Sequence, residues 1–60
     1  MPIVIIEMLE GRTVEQKKKL VEGITSAFVS IGTSEDVLHI VMKDNPKHNL
    51  AHGSKLLSEK

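Results

Sequence analysis

A chain of 60 residues can form one domain at most, and a lone domain of that size buries too little apolar surface to be comfortably stable without a supplement. It has no cysteines for disulfides, and its three histidines show none of the usual structural zinc spacings, so self-association remains as the staple. Eight basic and eight acidic residues cancel, which argues against nucleic acid or an anionic membrane surface as a partner.

The hydrophobic content is 40%, with one aromatic residue in the whole chain, and this marks aliphatic surface destined for burial against other copies. An obligate homo-oligomer is expected. The apolar run Ile3 to Ile6 is too short to span a bilayer. The N-terminus lacks the basic region and cleavage site of a secretory signal, so a cytoplasmic location is expected. The absence of cysteine fits a reducing compartment.

Pro2-Ile3-Val4-Ile5-Ile6-Glu7-Met8 is β-branched and nearly continuous rather than alternating, which reads as a strand buried on both faces, as in a parallel sheet. Glu10-Gly11-Arg12 makes a turn. Thr13 with Gln16 three residues on has capping-box spacing, so a helix starts there, and Glu15 in its first turn suits the helix dipole. Leu20, Ile24, Ala27, Phe28 and Ile31 recur at three- and four-residue steps with Val21 beside them, giving a core-facing stripe opposite Lys17, Lys18 and Glu22. Gly23 inside this helix suggests close packing of another backbone.

Gly32-Thr33-Ser34 ends the helix, and Val37 to Met42 reads as a second strand. A helical crossover of this length favours a right-handed connection and parallel strands. Two strands cannot make a self-sufficient sheet, so dimerisation is expected to extend it to about four, with helices on one face. Asp44 to Asn49 reads as a polar turn around Pro46. Leu50 to Lys60 is a tail with Leu56 and Leu57 as docking residues and a short hairpin around Gly53-Ser54. The expectation is therefore an α/β chain, a short β-α-β subunit forming a single domain over residues 1–60.

No cysteine nucleophile, metal cluster, phosphate-cradling glycine loop or spaced carboxylate pair stands out. The unusual feature is Pro2. If Met1 is removed, Pro2 presents a secondary amine at the head of a buried strand. An α-amino group titrates near 7.7–8.0, and desolvation or a nearby cation lowers that value. Such an amine serves as a neutral base near pH 7, and it is also nucleophilic toward carbonyls. The plainer alternative is that Pro2 merely starts a strand, where its missing N–H is harmless.

The combination of Met1-Pro2, the apolar strand, the phrase Leu9-Glu10-Gly11-Arg12-Thr13 and the helix start Glu15-Gln16-Lys17 resembles the 4-oxalocrotonate tautomerase family. The resemblance is most specific over residues 2–17 and weaker after His39. It implies that Pro2 is the catalytic base, moving a proton between oxygen and carbon positions of an enol or α,β-unsaturated keto acid with no cofactor. It also implies that Arg12 holds a substrate carboxylate in a pocket completed by a neighbouring subunit, within a homohexamer built from dimers. A guanidinium suits that task because its fork offers paired donors. Without the resemblance, Arg12 reads as a solvated turn charge.

Two departures from the family pattern bear on the substrate. His39 stands where well-known members carry a second arginine. An imidazole can donate to a carbonyl or carboxylate, but its charge near neutral pH is conditional, and it reads equally as a strand residue facing solvent or an interface. Leu50 stands where the family often places an aromatic pocket wall. It keeps the pocket apolar but loses the flat surface on which a conjugated substrate stacks. Gly53-Ser54 replaces what is commonly a pair of glycines. The site expected is thus Pro2 as base, with Arg12, His39 and Leu50 lining a substrate pocket and no metal. His48 and His52 read as solvent-facing turn residues. Two other readings are a hydratase- or dehalogenase-type enzyme using the same proline, and a non-catalytic oligomeric protein that holds a small ligand.

Overall fold

The computed structural model describes residues 1–59. Strand β1 (Ile3–Leu9) is followed by helix α1 (Val14–Ser30), a 3-10 turn (Glu35–Val37) and strand β2 (His39–Asn45). A second 3-10 turn (Lys47–Asn49) then leads into a small hairpin of β3 (Ala51–His52) and β4 (Lys55–Leu56), and a last turn covers Leu57–Glu59. β1 and β2 pair in parallel with Ile3 opposite His39 and Leu9 opposite Asn45, as the crossover length requires. β3 and β4 pair antiparallel around Gly53, whose φ of 62° is the left-handed conformation that glycine adopts without steric cost.

The helix begins where the sequence says. Thr13 Oγ1 accepts from the Gln16 backbone N–H (3.1 Å) and Gln16 Oε1 accepts from the Thr13 N–H (2.9 Å), a complete capping box. It ends in a Schellman motif. Gly32, at φ 97°, donates to Val29 O and Thr33 donates to Phe28 O, each at 3.0 Å.

The helix covers one face of the strand pair. Val4, Ile6 and Met8 alternate with more exposed neighbours along β1, and Ile40 and Met42 match them on β2. Lys17 reaches from the helix to Asp44 on that same face at 2.6 Å. The residues of α1 turned inward are Lys17, Val21, Ile24, Thr25 and Phe28, a narrower stripe than the sequence periodicity suggests. Leu20, Ala27 and Ile31 fall on its flank and are exposed, because a ribbon of two strands about 5 Å apart is too narrow to cover both flanks.

Several sequence expectations are corrected. β1 is not buried on both faces within one chain: Ile3 and Ile5 are 62% and 60% exposed, and Val41 beside them 43%. The helix occupies only the opposite side. β2 starts at His39 rather than Val37, because Val37 and Leu38 donate their N–H groups back to Ser34 and Glu35 and close a 3-10 turn. It also runs on through Asp44 and Asn45, extended by Glu10 N–H donating to Asn45 O at 2.9 Å, and stops at Pro46, which has no N–H to continue the ladder. Nothing approaches Gly23 within 4 Å of where a Cβ would stand, so its place in α1 is not explained by close packing inside the chain.

The result is a plate of 43 × 24 × 14 Å with a radius of gyration of 14.6 Å, where a compact domain of this length has about 10 Å. Its accessible surface is 4764 Å², against roughly 3,900 Å² for a compact monomer of this mass. No described residue is fully buried.

Candidate functional site

Pro2 stands immediately before β1, and its position is fixed through its carbonyl, which accepts the His39 N–H at 3.1 Å. The strand start is therefore held in the ladder from its first peptide. His39 itself pairs with Ile3, so its side chain lies on the helix-free face, exposed, beside Ile3 and Val41.

Arg12 lies at the other end of β1. Gly11, at φ 123°, turns the chain there, and one Arg12 nitrogen, Nη1, donates to Leu9 O at 3.3 Å. The exposed guanidinium keeps its remaining donors for another acceptor. Seven strand residues separate this turn from Pro2, roughly 20 Å at the usual rise.

Leu50 also belongs to the far end, because the tail leaves β2 beyond Asn45, the partner of Leu9. It is half-buried, and its carbonyl accepts the Leu57 N–H at 2.9 Å, which docks Leu57 onto the start of the hairpin. Leu56 is exposed. The chain thus brings Pro2 and His39 together at one end of the sheet and leaves Arg12 and Leu50 at the other. Two shallow grooves among the described residues lie elsewhere, one among Val21, Glu22, Thr25, Ser26 and Glu35 and one among His52, Lys55, Leu56, Leu57 and Glu59.

Sequence reading passed over a polar cluster on the helix-free face, toward its Leu9 end. Glu7 stands opposite Lys43 with their charged groups 4.0 Å apart, and Asn45 Nδ2 donates to Glu7 Oε1 at 3.0 Å. No spacing within one strand reveals it, since it exists only once the register is set. At the Pro2 end, the Ser34 hydroxyl donates to Asp36. This bond, with a backbone N–H, holds the Asp36 carboxyl below its ordinary value of 3.8. Among the described residues no group of three or more His, Asp or Glu side chains is placed to hold a metal ion. His48 lies in a 3-10 turn and His52 in β3, both exposed. No helix among the described residues is long and apolar enough to cross a membrane.

An α/β subunit of one parallel β-α-β unit, with a proline at the head of its first strand and a C-terminal hairpin, is the class that this fold defines. A family model described as "Tautomerase enzyme" matches residues 2–60. A probable tautomerase of Bacillus cereus is 43% identical over 61 aligned positions that cover all of both chains. The 2-hydroxymuconate tautomerase of Bacillus subtilis is 42% identical over 98% of this chain and 97% of its own. The crystal structure of YwhB, a homologue of 4-oxalocrotonate tautomerase, superposes with a TM-score of 0.90 at 40% identity, covering 98% of each chain. The chain belongs to the tautomerase family, whose members are isomerases.

Proposed function

We propose that this chain is a homo-oligomeric tautomerase of small enol or unsaturated keto acids in which the Pro2 amine, freed by removal of Met1, is the general base. The observation that carries the reading is the anchoring of Pro2: its carbonyl is tied to His39 in the parallel ladder, so the nitrogen sits at a defined point of a rigid sheet rather than on a frayed terminus. The neutral amine takes the proton of an enol hydroxyl, the electron pair moves through the conjugated system to carbon, and the resulting ammonium returns the proton there. Atoms and charge balance without a further reactant. Met1 retained would make the Pro2 nitrogen an amide and remove the base.

Arg12 is the carboxylate clamp, supplied by another subunit. A two-fold axis normal to the sheet pairs edge strands antiparallel, and this sets the Arg12 and Leu50 end of one chain beside the Pro2 end of its partner. The uncovered Ile3, Ile5 and Val41 face favours stacking such dimers on one another, and a homohexamer is the closed assembly proposed. The name of the Bacillus subtilis relative suggests 2-hydroxymuconate as a first dicarboxylate substrate to try, with phenylenolpyruvate as the monocarboxylate.

Intact mass establishes whether Met1 is gone, and enol–keto kinetics follow. Pro2→Ala is expected to lower kcat by 10²-fold or more, the usual weight of general base catalysis. Arg12→Ala is expected mainly to raise KM. Equal activity in all three proteins overturns both roles.

A further inference from the structure

We infer that Asn45 is a positioning residue for Arg12, and that with its neighbour Asp44 it fixes the turn from which the guanidinium reaches a substrate carboxylate. The role rests on the reading of Arg12 as the carboxylate clamp.

The inference comes from how the last two residues of β2 grip the chain on either side of that turn. Glu10 and Gly11 are exposed, and Gly11, at φ 123°, belongs to the residue type with the widest backbone freedom. Such a turn does not hold a long cation in one place by itself, so what precedes and follows it must. Asn45 grips the near side. Its carbonyl accepts the Glu10 N–H at 2.9 Å. Because the peptide is trans and planar, the Leu9 carbonyl then points the opposite way, off the edge of β1 and away from β2. There it accepts Arg12 Nη1 at 3.3 Å. The Asn45 side-chain amide holds the peptide before that one, donating to Met8 O at 3.3 Å, and is itself oriented by Glu7 Oε1 at 3.0 Å.

Asp44 grips the far side. Alternation along β2 turns it to the opposite face of the sheet, where it accepts from Lys17 Nζ at 2.6 Å, one residue past the Gln16 that closes the capping box on Thr13. Two consecutive residues of one strand thus tie both ends of the Arg12 turn to the same short piece of β2. Binding a carboxylate costs the ordering of the groups that hold it, and a turn already ordered has less to lose. Removing the Asn45 amide therefore weakens the hold on substrate. It leaves the proton transfer at Pro2 alone, since Pro2 is anchored separately through its own carbonyl.

The test uses the intact oligomeric protein, shown by mass to lack Met1, with phenylenolpyruvate as substrate. Asn45→Leu is expected to raise KM about fivefold, the usual net weight of one hydrogen bond, with kcat within about twofold of wild type. Asn45→Gln, which keeps the amide on a longer arm, recovers part of that loss. Asp44→Asn, at an exposed ion pair, raises KM about twofold. In an Arg12→Ala background Asn45→Leu should have no further effect on KM, because its action passes through the guanidinium. Amide exchange gives a reading without turnover: in Asn45→Leu the Glu10 N–H exchanges faster, while the His39 N–H at the other end of the ladder keeps its rate. An unchanged KM in Asn45→Leu, an equal rise in the Arg12→Ala background, or faster exchange at both amides overturns the assignment. If Arg12→Ala by itself leaves KM unchanged, the clamp reading fails, and the Glu10 exchange rate still decides whether Asn45 fixes the turn.

Discussion

The Asp36 carboxyl shows how a single hydroxyl governs an ionisable group at the end of the sheet where Pro2 and His39 meet. Its value is depressed first by the Ser34 hydroxyl and then by a backbone N–H. A depressed carboxyl contributes stability above the ordinary 3.8 and loses it as the pH falls through the folded value. Because Asp36 is fully exposed, the effect is local. Ser34→Ala is expected to let the carboxyl titrate closer to 3.8, which side-chain carbon NMR reads directly; an unchanged titration would mean that the backbone alone sets the value. Residues of this kind were not legible in the sequence. Pro2, Arg12 and the substitution at His39 stood out because they sit in a recognisable phrase or depart from it. The Glu7, Lys43 and Asn45 cluster did not, since Glu7 is 36 positions from Lys43 and 38 from Asn45 and meets them only through the strand register.

At the scale of elements, the two ends of α1 are the best specified features of the chain. The capping box at Thr13 satisfies two N–H groups that the first turn leaves without partners. Thr13→Ala is expected to cost about 1 kcal/mol, and Gly32→Ala about 1 kcal/mol through its positive φ alone, since a Cβ there meets nothing. Urea melts at one fixed subunit concentration would measure both, because association makes apparent stability concentration-dependent. A negligible change at Gly32 would show that the helix end relaxes. These signals were readable because caps depend on side chains within a few residues. The start of β2 is not legible for the complementary reason: Val37 has strand character, but the local bonds to Ser34 and Glu35 outweigh its propensity. Periodicity makes the stripe on α1 too wide, because it reports which side chains want burial, whereas one chain supplies only a two-stranded surface to bury them.

The whole molecule is therefore a subunit whose apolar surface exceeds what its own chain can cover. Ile5 lies at the centre of the uncovered sheet face, 60% exposed between Ile3 and the Glu7 cluster. Ile5→Asp would place a second carboxylate there beside Glu7. Light scattering is expected to show loss of the high-order oligomer at micromolar concentration, with unfolding in less urea; an unchanged mass and midpoint would mean that this face is not an interface. The ladder bond through the Pro2 carbonyl carries one more consequence. Met1 is 83% exposed, and the first strand contact lies beyond it, so trimming that residue takes nothing from the fold. With Pro2 as the proposed base in the proposed oligomer, untrimmed and trimmed chains would serve alike as building blocks, and a cell that processes them incompletely would assemble mixed particles whose count of working sites tracks its aminopeptidase rather than its supply of folded protein.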